Sequence, residues 1–283
     1  MWLAERNIRV RAPKRKRADA ELARGLAARV ESAEITAPDG TRLSAWLLHP
    51  AAWRGEAAIV LHGFVDTRTA MLDHARFLLR HGYAVLLPDS RGHGESGGEA
   101  VSFGVREHAD VGAWADWLCG RLGIRRFIGL GQSMGAAVLL HALPGEPRLE
   151  RVIAESAFTT FRDAAYDRLS GRAGIPRWLG RVLFRPAGEL AFLYVRWRYG
   201  FNLNEARPVD ALRRAAQPVL LIHGSDDEAI RASHSRQLHE VSGAEYWEIA
   251  GAAHTDPLRV AGEEYERRVI AWLSTSQPAG SRA

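Results

Sequence analysis

From about residue 33 the sequence alternates short apolar runs with longer amphipathic ones, and this alternation constrains the fold more than any other feature. The short runs fall at 33–37, 43–48, 57–61, 83–87, 126–130, 151–155, 218–222 and 244–249. Helical periodicity falls at 67–81, 107–120, 133–142, 231–241 and 257–273, each a short step after a strand. The central runs are apolar on both faces, as parallel strands covered by helices on both sides must be. The first two, separated by Pro38-Asp39-Gly40, read as an antiparallel hairpin at the sheet edge. One α/β domain is therefore expected over 33–275, a mostly parallel eight-stranded sheet with helices on both faces, between an arm at 1–32 and a tail at 276–283.

One interval breaks the rhythm. About 60 residues separate the strand ending near Glu155 from the one starting at Pro218, far more than one crossover helix needs. Ten aromatic side chains lie between Phe158 and Phe201, so the segment 158–207 reads as a helical insertion whose apolar face covers something. It is expected to cap a substrate pocket, with Trp178 and Trp197 among the substrate-binding residues. An extra helical layer with no substrate role is the competing reading.

Charge narrows the function less than it first suggests. The net charge is +5, yet residues 5–17 carry seven basic side chains against Glu5 alone, so the rest of the chain is close to neutral. A nucleic-acid-binding face on the domain is unsupported. The run Lys14-Arg15-Lys16-Arg17 reads as a solvated tail, with contact to a membrane surface as its functional alternative, because such a run also resembles the flank of a membrane anchor. No stretch approaches the length of a membrane helix, and the opening MWLAERNIRV lacks the apolar core of a secretory signal. The single cysteine, Cys119, excludes an intramolecular disulfide framework and reads as a small buried hydrophobe. A cytoplasmic protein, possible membrane contact through its arm aside, is the expectation.

The chemistry centres on Gly131-Gln132-Ser133-Met134-Gly135, a G-x-S-x-G run between a strand and a helix. A turn that sharp leaves no room for side chains at 131 and 135, and it exposes the central hydroxyl at a helix N-terminus, whose dipole favours a developing oxyanion. Gly94-Glu95-Ser96-Gly97-Gly98 fits the same pattern but lies in a glycine-rich loop with no helix after it, so Ser133 is the proposed nucleophile. A serine needs a base, and the base needs a group to hold its tautomer. Candidates follow the last two strands: Asp226 and Asp227 after Ile222-His223-Gly224, and His254 after Gly251. Groups just past the carboxyl ends of parallel strands converge on one edge.

The order serine, acid, histidine, with G-Q-S-M-G, H-G-x-x-D and a late G-x-x-H, resembles the α/β-hydrolase superfamily over residues 33–273. His62-Gly63-Phe64 after the third strand and the run from Pro88 to Ser96 after the fourth agree with it. Within the superfamily the chain is similar to serine hydrolases of the monoglyceride-lipase and serine-aminopeptidase-like branch. The resemblance implies the α/β-hydrolase fold and places the acid at Asp227, with Asp226 and Glu155 as the alternatives. It implies His254 as base, ahead of His234 and His239, which fall in a helix and read as surface residues. It places the oxyanion hole at the backbone N–H groups of Phe64 and Met134, with Phe64 also a substrate contact. His62, His223, Asp89, Arg91 and His93 read as residues that order loops, and Trp114 with Trp117 as packing. No metal and no cofactor are expected, because no H-x-x-x-H or H-E-x-x-H pattern occurs.

The expected activity is that of a cofactor-independent serine hydrolase, carboxylesterase- or lipase-like, acting on a small-molecule acyl substrate through an acyl-serine. A peptidase or amidase on the same triad is the nearest alternative, and a non-catalytic binding protein on the same fold is the alternative from another class.

Overall fold

The computed structural model describes Gly25, Leu26 and residues 28–275. The basic run and the tail lie outside these residues. Eight strands form one sheet: β1 (Arg29–Thr36), β2 (Arg42–His49), β3 (Glu56–Leu61), β4 (Tyr83–Pro88), β5 (Phe127–Gln132), β6 (Leu149–Glu155), β7 (Val219–Gly224) and β8 (Glu245–Ile249). Their order is β1-β2-β4-β3-β5-β6-β7-β8, with β2 antiparallel to β1 and β4 and all later pairings parallel. The sheet thus begins inside the segment first assigned to the arm, because Arg29–Thr36 pairs along the whole of β2.

Period-two alternation divides the core between the two faces of the sheet. Ala57, Ile59 and Leu61 of β3 join Leu86, Trp114, Val138 and Leu139 on one face, while Ala58 and Val60 join Phe77, Leu78, Tyr265 and Trp272 on the other. The helices that cover these faces are α1 (Leu72–Arg80), α2 (Glu107–Leu122), α3 (Met134–Ala142), α6 (Pro208–Arg214), α7 (Ser233–Ser242), α8 (Pro257–Ala261) and α9 (Glu263–Ser274). Two further helices, α4 (Phe161–Ala173) and α5 (Arg177–Tyr199), make up most of the insertion.

Three helix boundaries differ from expectation for local reasons. The first turn at Arg68–Met71 is a 3-10 helix, where the Arg68 N–H and guanidinium are both tied to Asp89. The span expected as one helix at 257–273 is broken at Gly262, which takes φ 51° and ψ −123°. Ser133 precedes its helix instead of opening it, with φ 52° and ψ −110°.

The register decides where the site lies. Leu61 is level with Gly131, Glu155 with Gln132 and Ile222, and Ile249 with Gly224. The loops carrying residues 62–66, 133, 227 and 254 therefore all leave from one carboxyl edge.

Candidate active site

The two glycines flanking Ser133 are required by contact. A Cβ on Gly131 would lie 2.5 Å from the carbonyl carbon of Gly135, and one on Gly135 would lie 2.4 Å from the Leu61 carbonyl oxygen. Neither neighbour is a side chain that could swing away. Ser133 is consequently held in the left-handed region, where a non-glycine residue costs about 1–3 kcal/mol. Four more non-glycine residues take positive φ in the described chain, Val65, Phe103, Ser156 and Thr255, and all four sit in loops leaving the same edge as Ser133.

His254 Nε2 stands 3.1 Å from Ser133 Oγ, and His254 Nδ1 stands 2.7 Å from Asp227 Oδ2. A carboxylate only accepts, so Nδ1 carries the proton and the Nε2 lone pair faces the serine hydroxyl. Asp227 is fixed by its own loop: Oδ1 accepts from the N–H groups of Ala229 and Ile230 at 2.9 and 2.8 Å. Burial would raise its pKa, but the hydrogen bonds from His223, His254 and the Ile230 N–H together hold it well below the usual carboxylate range. Asp226 instead is exposed and accepts from Ser225 Oγ. Glu155 is fully buried, engaged by Gln132 at 2.7 Å, His74 at 3.2 Å and the Tyr265 hydroxyl, with none of these bonds to His254.

The second serine motif has a structural task. Ser96 Oγ donates to the Asp89 carbonyl at 2.7 Å and accepts from the Ser44 N–H at 2.9 Å, stitching its loop to β2.

Two main-chain donors lie beside Ser133. Met134 opens α3, so its N–H has no intrahelical acceptor. Phe64 follows Gly63, whose Cβ position would lie 3.6 Å from Ser133 Cβ, so the loop after β3 passes directly against the Ser133 turn. His62 fixes that loop. It accepts from the Ser90 N–H at Nε2 and so donates from Nδ1 to the Gly63 carbonyl, with burial and the neighbouring His93 pushing its pKa down to about 4. His223 likewise orders the acid loop, bonding Ser235 Oγ and the Ile230 carbonyl at 2.7 Å each. Asp89 is clamped by Arg68, Arg91 binds Asp110 through two nitrogens at 2.7 and 2.6 Å, and His93 bonds the Arg91 carbonyl.

The insertion corrects the expected substrate contacts. Trp178 and Trp197 are 69% and 80% exposed on the outer side of α5 and are not brought to Ser133. The reason is the helix's orientation, since Gly180, Phe192, Val195 and Tyr199 take the inward positions. The aromatic rings that do run from the loop after β3 into the insertion are Phe64, Phe103, Phe161 and Phe192, with successive centroids 5.2, 4.1 and 6.2 Å apart. His234 is also corrected. It is buried, not superficial, bonded to Thr159 Oγ1 at 2.9 Å where the insertion begins, whereas His239 is exposed.

Asp66 was not anticipated. Its carboxylate lies 3.4 Å from the Cβ position of Gly63, on the same glycine that Ser133 touches, and burial raises its pKa while nearby His254 pulls it down. Its place three residues after Gly63 was the only available signal. Among the described residues no cluster of three or more His, Cys, Asp or Glu is arranged to hold a metal.

A family model described as the alpha/beta hydrolase family matches residues 58–268. The chain belongs to that family. The chain is 30% identical over 188 residues to YqkD, an uncharacterized protein of Bacillus subtilis, a match taking in 64% of the chain and 58% of the relative. It is 25% identical over 231 residues to YfhR, an uncharacterized protein of Escherichia coli, covering 75% and 68%. Among solved structures, the Pyrococcus furiosus esterase Pf2001 superposes with a TM-score of 0.71 at 25% identity, over 88% of this chain and 94% of that one. The hydrolase thus spans little more than half the length of its Bacillus relative. These matches specify the superfamily and no single branch of it.

Proposed function

We propose that this hydrolase cleaves a carboxylic ester, or a related acyl bond, through an acyl-serine at Ser133. The observation that supports this most directly is the continuous relay from Ser133 Oγ through His254 to Asp227. Ser133 Oγ attacks the carbonyl carbon as its proton passes to His254 Nε2, and the carbonyl oxygen becomes an oxyanion. The Phe64 and Met134 N–H groups receive that charge, each such donor contributing about 2.7–4 kcal/mol. Asp227 holds the imidazolium without taking its proton. The tetrahedral intermediate expels the alcohol, which leaves with the proton from Nε2. Water then attacks the acyl-serine, with His254 taking its proton and returning it to Ser133 Oγ.

The aromatic file from Phe64 to Phe192 suits an apolar acyl chain. Each methylene that reaches it adds up to about 0.8 kcal/mol, roughly fourfold in kcat/KM, until the space is full. By resemblance to the family, the short His62-Gly63-Phe64 segment, without further glycines, implies a preference for esters of primary over tertiary alcohols. The experiment is kcat/KM against acyl length from acetyl to dodecanoyl, for the intact protein and for Phe161→Ala and Phe192→Ala. A rise with length that either substitution flattens supports the reading, and a flat profile in all three overturns it.

Asp66 supports a second reading, hydrolysis of aminoacyl esters or amides whose ammonium faces that carboxylate. It is distinguished by Asp66→Asn, which would raise KM for a cationic ester and leave its neutral isostere unchanged.

A further inference from the structure

The cap helix α5 is apolar on both sides. Its inward side is buried, yet Trp178, Val182, Leu183, Leu190, Leu193 and Trp197 are each more than half exposed. At 100° per residue these six fall within an arc of about 140°, opposite Gly180, Val195 and Tyr199. The stripe runs from Trp178 to Trp197, about 28 Å at 1.5 Å per residue. Soluble monomers rarely show a contiguous apolar strip of this kind without a partner for it.

Charge identifies the partner. Five arginines and one carboxylate lie on α5, and that carboxylate, Glu189, is already paired with Arg162 at 2.8 Å. Arg181, Arg185 and Arg196 border the stripe on one flank, and Arg185 and Arg196 make no ion pair among the described residues. A second copy docked on the same face by a two-fold axis would bring arginine rims toward each other. A ridge of tryptophan and aliphatic side chains with an arginine border fits a surface that yields to it and is negatively charged. No helix among the described residues is long and apolar enough to cross a membrane.

We propose that the outer face of α5 docks this hydrolase onto an anionic lipid surface, with Trp178, Val182, Leu190, Leu193 and Trp197 entering the acyl boundary and Arg185 and Arg196 meeting the headgroups. The attachment does not depend on which acyl bond Ser133 cleaves. It also places the membrane contact on the cap in addition to any contact made by the arm.

The test is vesicle flotation of the full chain at physiological ionic strength, with phosphatidylcholine alone and with about one-third phosphatidylglycerol. Four proteins are compared: the natural chain, Leu190→Glu/Leu193→Glu, Trp197→Ala, and an arm variant with Lys14, Arg15, Lys16 and Arg17 changed to Gln. Melting temperatures check that each is folded, and light scattering gives its oligomeric state. The natural chain binds the anionic vesicles, Leu190→Glu/Leu193→Glu loses at least about tenfold in partitioning at an unchanged melting temperature, and Trp197→Ala falls between them. The arm variant keeps most of the binding. The proposal is overturned if the natural chain stays unbound, if the stripe variants bind as well as it does, or if only the arm variant loses binding. It is equally overturned if Leu190→Glu/Leu193→Glu turns a dimer into a monomer without changing vesicle binding.

Discussion

Ser133 combines a strained backbone with a hydroxyl aimed at His254, and both depend on what its neighbours lack. Gly131→Ala and Gly135→Ala each press a methyl group into main chain at about 2.5 Å. We expect each to cost about 1–3 kcal/mol of stability or more, read by chemical denaturation, and to remove most ester turnover. Asp227→Asn should lower kcat by about 10⁴-fold, the scale the equivalent change has in a serine protease triad, while Asp226→Asn stays within about threefold. Steady-state kinetics of the two variants decide this, and equal, mild losses would point back to Glu155. The spacing of motifs was enough to pick Ser133 and His254 from the sequence. Only the resemblance placed the acid at Asp227, with Asp226 as an alternative, because adjacent residues are separated by how the loop folds: the Ala229 and Ile230 N–H groups turn Asp227 inward and leave Asp226 outside. Asp66 carried no recognisable pattern, since its position depends on a loop packed against a turn from another strand.

At the scale of elements, strands were easier to read than helices. Each of the eight apolar runs became a strand, the central ones because burial on both faces leaves few other outcomes for a short run. The orientation of α5 was not readable. A helix apolar on two sides has no single stripe to identify its inner face, and Trp178 and Trp197 were assigned inward when the smaller Gly180 and Val195 are. Close helix packing explains the choice of residue: a Cβ on Gly180 would meet the Ser170 hydroxyl of α4 at 1.8 Å, and one on Gly188 would meet the Tyr166 hydroxyl at 2.5 Å. Gly180→Val should therefore loosen α5 from α4 and disturb the Phe161–Phe192 contact. The expected result is loss of the preference for long acyl chains, with acetyl ester turnover within about threefold of the natural chain. A chain-length profile unchanged by Gly180→Val would make the insertion a plain scaffold.

Across the whole molecule, buried histidines set the response to acid. Burial pushes His62, His141 and His234 down to about 4, so between that value and the ordinary 6.5 only the unfolded chain takes up their protons. Stability therefore falls as pH drops through this window. Asp110 works the other way, because burial raises it to about 6 despite Arg91 and the folded chain takes up its proton first. With one of three offset, unfolding near pH 5 should absorb about two protons, a loss of about 3 kcal/mol per pH unit at the steepest. Denaturant midpoints between pH 7 and pH 4.5 measure it (both bounds about), and a flat dependence would mean these histidines are protonated when folded. The same sheet that buries them brings four loop ends to one edge, where the Ser133 hydroxyl faces His254. The direct measurement is labelling with a fluorophosphonate probe, located by peptide mass spectrometry, for the natural chain, Ser133→Ala and Ser96→Ala. One adduct on Ser133 is expected, absent in Ser133→Ala and kept by the folded fraction of Ser96→Ala. No adduct on the natural chain, or one that survives Ser133→Ala, would contradict it.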